Sequence, residues 1–387
     1  MTATAGIEGA VAIRLLVSAG RVREARVTIR RPAAARALAG RPLDEAMRLV
    51  PLLFSVCGTA QGVAAATAVE QALAFDPAPA HAAARALMVE AETAASHAWQ
   101  ALVDWPRLLG EPPAADRLAP LRAAAAAVAP ALYPDGNGLR PGGGDLRPDP
   151  AALRRAADVL AAGIAADVLG GDPLPGDADA LAARAAAGRT PAARLLHRVL
   201  QPDLAGFGAC AVAALPEVPA SWFAERLAAD DGFAARPHHD GAPALTGPLA
   251  RRWHHPLVAD LRARHGTGAA VHLAARLVEL AEAPERLRAA ATALVPARRG
   301  APATRSGIGA AVVETARGRL AQRIVVEDGQ VADLRSVAPT EWNFAPDGPL
   351  ARGLTGAAAD AGLERRAAVL VAALDPCVAS AITVAEA

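Results

Sequence analysis

The chain has 387 residues, enough to bury a full core, and its 40 basic and 39 acidic residues leave a formal charge of +1. Every basic residue in that count is arginine, and the near-zero balance excludes a general attraction to nucleic acid or to an anionic membrane. The abundance of Ala, Gly, Pro and Arg reflects a GC-rich coding bias and carries no function.

Met1-Thr2-Ala3-Thr4-Ala5 lacks the basic region and long apolar core of a signal peptide. Arg, Asp, Glu or Pro interrupts each apolar stretch before the roughly 18 residues that a membrane span needs. A soluble cytoplasmic protein is therefore expected. The three cysteines, Cys57, Cys210 and Cys377, are too few and too scattered for a disulfide framework, which agrees with a reducing compartment.

In chain order, residues 7 to 30 alternate apolar and polar positions around Ser18-Ala19-Gly20, which predicts a β-hairpin. Residues 62–74, 80–104, 115–131, 150–168, 178–200, 247–266 and 268–294 carry helix formers with apolar residues three and four apart, and predict helices. Gly- and Pro-rich segments near 134–149, 169–176 and 296–302 predict loops. A second hairpin is expected over 323–337, where Asp328-Gly329 supplies the positive φ of a tight turn. The fold class is α+β, mainly α: a helical bundle with small antiparallel hairpins from the N- and C-terminal parts. The expected organisation is a hairpin region over 1–50, a helical bundle over 51–300, and a hairpin with an Asp-Pro-Cys segment over 301–387, all packed as one unit.

Two segments look like altered metal-binding Cys-x-x-Cys motifs. In Phe54-Ser55-Val56-Cys57 the first thiol is replaced by phenylalanine, and in Cys377-Val378-Ala379-Ser380 the second is replaced by a hydroxyl. Cys210, in Phe207-Gly208-Ala209-Cys210, reads as a small buried hydrophobe. His238-His239 and His254-His255 lack the spacing of a helical zinc site and read as surface or capping residues. No Walker loop, dinucleotide fingerprint or nucleophile elbow is present.

With their neighbours, these segments resemble the large subunit of nickel-iron hydrogenases over nearly the whole chain. The likeness runs through Ile7-Glu8-Gly9, Gly40-Arg41-Pro42, Ser96-His97-Ala98, Gly247-Pro248-Leu249-Ala250-Arg251, Glu314-Thr315-Ala316-Arg317-Gly318, Pro339-Thr340-Glu341-Trp342-Asn343 and Asp375-Pro376-Cys377, in order. It departs from that family at ligand positions. Phe54 cannot ligate, and the Ser380 hydroxyl resists deprotonation and suits a soft metal poorly. Gln100 replaces the second histidine of a Ser-His-x-x-His helix, Ala10 that of the opening motif, and Thr383 the terminal one. Neither nickel nor magnesium is expected. The chain stops four residues after Thr383, so no processing of a C-terminal extension is implied.

What the resemblance retains is an environment for iron. Cys57 and Cys377 would be thiolate ligands, and Arg317 and Thr340 would donate hydrogen bonds to the cyanides of an Fe(CN)2CO unit. The Cys57 thiol is expected to be acidified by metal and by the start of the following helix. Glu8 corresponds to a proton-relay glutamate in the enzymes, with a structural hydrogen-bonding role equally open. On the family's pattern, Cys57 and Cys377 meet in the core near Arg317.

This combination is similar to the HupK/HoxV-type hydrogenase expression/formation proteins, degenerate relatives of the large subunit. The resemblance implies a non-catalytic scaffold that transiently holds Fe(CN)2CO, with the hydrogenase large subunit and a small HypC-type chaperone among its partners. A cofactor-free assembly chaperone is the alternative.

Overall fold

A computed structural model describes residues 9–30, 37–54 and 56–387. The N-terminal hairpin forms as the alternation predicts, with β1 (Ala10–Ser18) antiparallel to β2 (Arg21–Arg30). Val11, Ile13 and Leu15 face the core, while Ala12 and Arg14 face out. Ala19 and Gly20, with φ of 50° and 71°, make the two-residue turn.

The C-terminal sheet is larger than the expected hairpin. It is a meander of β3 (Gly307–Thr315), β4 (Gly318–Glu327) and β5 (Gln330–Val337). Asp328 and Gly329 both take positive φ in the second turn, as expected. The unexpected strand β3 contains Gly307 and Gly309, which weaken any strand signal. Both glycines serve packing: a Cβ on them would lie 1.9 and 2.0 Å from the carbonyl oxygens of Ala72 and Ala68. The helix they touch, α2 (Gly58–Ala72), is alanine-rich and almost wholly buried, so helix and sheet approach closely.

No strand is expected after Cys377, yet β6 (Ala379–Glu386) adds to the first sheet parallel to β1, in the order β2-β1-β6. Its register sets Ser380 beside Val11 and Thr383 beside Arg14. The two chain ends thus share one sheet, which draws the segment before β6 toward the middle of the molecule.

Between the sheets lie the helices. α1 (Leu43–Leu53), absent from the sequence reading along with the helices Ala220–Ala229 and Leu363–Leu374, precedes α2, and α3 (Pro79–Trp99) follows it. α3 continues into a π-helical turn, Gln100–Asp104. The helix expected over 178–200 is two, Ala178–Ala186 and Pro191–Val199, because Gly188 takes a φ of 61° and Thr190 caps the second at the amide of Ala193. The one expected over 247–266 breaks into Pro248–Arg251 and Pro256–His265, since the residue before a proline disfavours helical backbone. Residues 115–131 divide into Ala115–Ala126 and Val128–Leu132, and 150–168 ends in a second π turn, Ile164–Leu169.

At the centre runs the helix Ala269–Ala293, whose residues from Ala269 to Leu280 are all buried. A helix buried on every side should be apolar throughout. This one carries Arg276 and Glu279, and each pairs with a group from another part of the chain. The loop over 134–149 is held by a similar device: Arg85 donates to both oxygens of Glu70 at 2.8 and 2.9 Å and to the carbonyls of Gly138 and Arg140. Among the described residues no helix is long and apolar enough to cross a membrane.

Candidate functional site

Cys57 is the N-cap residue of α2. Its backbone is fixed by its own N–H donating to Phe54 O at 3.0 Å and by its carbonyl accepting from Gln61 N at 2.9 Å. Gly58 follows because a Cβ there would sit 2.6 Å from the Pro51 carbonyl. Phe54, at the end of α1, packs against the cluster of Leu38, Met47 and Ile324.

Cys377 lies between the helix Leu363–Leu374 and β6. Asp375 ends that helix in the left-handed region, with φ of 55°, a conformation that aspartate tolerates better than most residues. Thr340, in the short buried helix Pro339–Asn343 after β5, has its hydroxyl 3.2 Å from Cys377 Sγ and accepts from Cys377 N at 3.3 Å. Ser380, on β6, is exposed.

Arg317 occupies the tight turn between β3 and β4. That turn is clamped from behind: Thr246 Oγ1 accepts from Arg319 N, Asn343 bonds both backbone groups of Thr246, and a Cβ on Gly247 would lie 2.8 Å from the Arg317 carbonyl. The guanidinium reaches Asp375 Oδ1 at 3.2 Å and Ser96 Oγ at 3.4 Å, and its buried Nε has no partner among the described residues. Burial works against its charge, but Asp375, Cys377 and Cys57 outweigh that and raise its pKa. The two thiols and the guanidinium therefore lie within electrostatic range of one another.

Asp375 is the hub of the site. Beside Arg317, its Oδ1 accepts from Gln100 Nε2 at 2.8 Å, and its Oδ2 faces the buried Arg276 at 3.7 Å. The neighbouring His97 bonds Glu279 at 3.1 Å, and Arg251 grips the same carboxylate at 2.6 and 2.7 Å. Burial lowers the His97 pKa to about 4, so at neutral pH the ring is uncharged.

The expectation that the start of α2 acidifies Cys57 is overturned. Burial, then the neighbouring Cys377 and Glu92, push the thiol up to about 12. The amides that would have favoured a thiolate are already taken, since Glu92 of α3 accepts from Thr59 N at 2.8 Å and Ala60 N at 3.0 Å. Glu8 lies outside the described residues. Among the described residues, no three or more His, Cys, Asp or Glu side chains are grouped to hold a metal.

No family model matches the chain. Among curated proteins it is 30% identical over 367 residues to the hydrogenase expression/formation protein HupK of Azotobacter vinelandii, covering 92% of each chain. It is 33% identical over 365 residues to HupK of Bradyrhizobium diazoefficiens, covering 92% of this chain and 91% of that one. To HoxV of Cupriavidus necator it is 31% identical over 375 residues, covering 91% of both. The chain belongs to the HupK/HoxV family of hydrogenase expression/formation proteins. Its fold is that of the hydrogenase large subunit: a chain of the Ni-Fe-Se hydrogenase of Desulfovibrio vulgaris Hildenborough in the reduced state superposes with a TM-score of 0.67 at 18% identity, covering 94% of this chain and 95% of that one.

In this HupK/HoxV-family chain, the tertiary structure sets Thr340 against Cys377, holds Arg317 within electrostatic range of Cys57 and Cys377, and leaves Ser380 exposed. Cys210 is apart, its thiol directed at Pro349 O at 3.7 Å. His239 lies against Trp222 with the rings tilted by 32°, and His255 sits at the N-cap position of Pro256–His265, 3.9 Å from Glu282. The sequence reading missed Glu92 and Arg276. Arg276, with His272 and Glu279, is a polar residue in a helical segment buried on every side, and that mismatch was the available signal for it; Glu92 carried none.

Proposed function

We propose that the chain acts in hydrogenase maturation as a cytoplasmic, non-catalytic scaffold that transiently holds an Fe(CN)2CO unit for delivery to the large subunit. Its relatives are named for hydrogenase expression and formation, and the reading extends that role to this chain. The observation that supports it is that Thr340 Oγ1 lies 3.2 Å from Cys377 Sγ while Arg317 is within electrostatic range of both Cys377 and Cys57. The donor set fits such a unit. Thiolates suit a soft metal, and Arg317 Nε, without a partner among the described residues, is a donor for an anionic group's acceptor nitrogens. In this reading Cys57 is the principal ligand and Cys377 its helper, with Arg317 and Thr340 as donors to cyanide. The unit itself supplies the iron and its cyanide and carbonyl ligands, and the protein supplies binding and orientation. A small HypC-type chaperone and the hydrogenase large subunit are the proposed partners.

Anaerobic co-expression with the maturation proteins, followed by infrared spectroscopy, tests the proposal. Cyanide and carbonyl bands are expected in the wild-type chain and lost on Cys57→Ala. Their absence from loaded wild type, or their persistence in the variant, would overturn it.

One observation favours a second reading, a cofactor-free chaperone that mimics the shape of the large subunit. Arg317 already pairs with Asp375, and burial raises the Cys57 thiol toward its protonated form, so both groups are accommodated without a ligand. Full complementation by a Cys57→Ala/Cys377→Ala double variant would select that reading.

A further inference from the structure

An N-cap side chain ordinarily accepts from the backbone N–H groups of the second and third helical residues. For α2, capped by Cys57, those residues are Thr59 and Ala60. Cys57 makes no such bond, because both donors belong to Glu92, which reaches across from α3 with one carboxylate oxygen on each amide. The Cys57 sulfur instead accepts from Gln61 Nε2 at 3.9 Å, and Gln61 is held by the buried Gln322 of β4.

From this arrangement we infer that Glu92 is a positioning residue for Cys57: by occupying the cap amides of α2, it prevents the cysteine from capping its own helix and leaves the sulfur available to the site. The inference rests on the proposed role of Cys57 as a ligand. Its logic is one of competition. The two amides are the donors an N-cap side chain ordinarily takes, and a thiolate turned onto them would be drawn away from a bound metal and weakened as a ligand. A carboxylate supplied by a different helix satisfies them permanently and ties the first turn of α2 to α3. Glu92 acts through hydrogen bonds to both of its oxygens, so glutamine, which keeps one acceptor oxygen and sets an NH2 against the other amide, should preserve only part of its effect, and alanine none.

The test uses the full chain in a Cys210→Ala background, with Cd(II) as a thiophilic probe. Glu92→Ala is expected to weaken Cys57-dependent Cd(II) binding by about 10-fold or more, the range typical of groups that orient a metal ligand. Glu92→Gln should recover at most part of that loss, because one cap amide loses its acceptor. Wild-type affinity in Glu92→Ala would overturn the inference. Amide hydrogen exchange on the wild-type chain gives a metal-free measure that does not depend on either variant folding. Slow exchange at Thr59 and Ala60 is expected, and exchange at the unprotected rate sinks the role of Glu92. Cd(II) binding that is indifferent to Cys57→Ala counts instead against the iron-holding reading.

Discussion

Asp375 accepts a hydrogen bond from Gln100, 275 positions earlier in the chain, on the same carboxylate oxygen that receives Arg317. The residue preceding the Pro376-Cys377 segment is thereby tied to the π turn after α3 and to the β3–β4 turn. Asp375→Asn keeps the left-handed cap geometry but removes the charge that answers Arg276 and Arg317. Breaking a buried ionic cluster from one side costs about 3–5 kcal/mol. A loss of that order is expected in chemical denaturation, with a smaller one for Gln100→Ala, which removes a neutral donor only. Equal stability of Asp375→Asn and wild type would show that the cluster contributes nothing net.

Gly309 lies where β3 crosses α2, with no room for a side chain before the Ala68 carbonyl. Gly309→Ala should overpack this contact at a cost of about 1–3 kcal/mol. A thermal melt would register it as a lower transition temperature, without any change in the ligands of the candidate site.

The buried His97 makes stability depend on pH. Burial lowers its pKa from 6.5 to about 4, so between those values the unfolded chain binds a proton that the folded chain refuses. Stability therefore falls as pH drops through that window, by up to about 1.4 kcal/mol per pH unit from this residue alone. Urea midpoints measured across the window should decline with acidity, and more gently in His97→Gln. A flat profile in the wild type would contradict a buried neutral ring.

Arg317 and Thr340 separate by chemistry. Arg317→Lys removes the planar fork and the pairing geometry with Asp375, and about a 10-fold weaker hold on an anionic iron unit is expected. Thr340→Ser retains the hydroxyl beside Cys377 and should retain loading, whereas Thr340→Val should not. Cyanide-band intensity in loaded preparations reads all three variants, and a Val variant that loads like wild type would remove Thr340 from the site.

Much of the architecture is legible along the chain because it depends on local order. Alternation in β1 and β2, Asp328-Gly329 between β4 and β5, and the helical spacing of residues 268–294 reflect backbone preferences that neighbours enforce. The missed strands fail for a reason of the same kind. β3 is glycine-containing because α2 presses on it, and β6 is weakly patterned and has β1 as its one strand partner among the described residues. Their pairing energy comes from partners remote in sequence.

The candidate site divides in the same way. By itself the sequence determined the residue types: Cys57 and Cys377 with their lost companions at Phe54 and Ser380, and Arg317 and Thr340 inside blocks resembling a hydrogenase large subunit. Only the tertiary structure decided their company and their chemistry. It set Glu92 on the amides of α2, Asp375 between two arginines and a glutamine, and the Cys57 thiol in a buried place that favours its protonated form. Ligand identity is a property of single residues, whereas the energy of a charge or a proton depends on everything within a few ångströms, which the chain brings together only when folded.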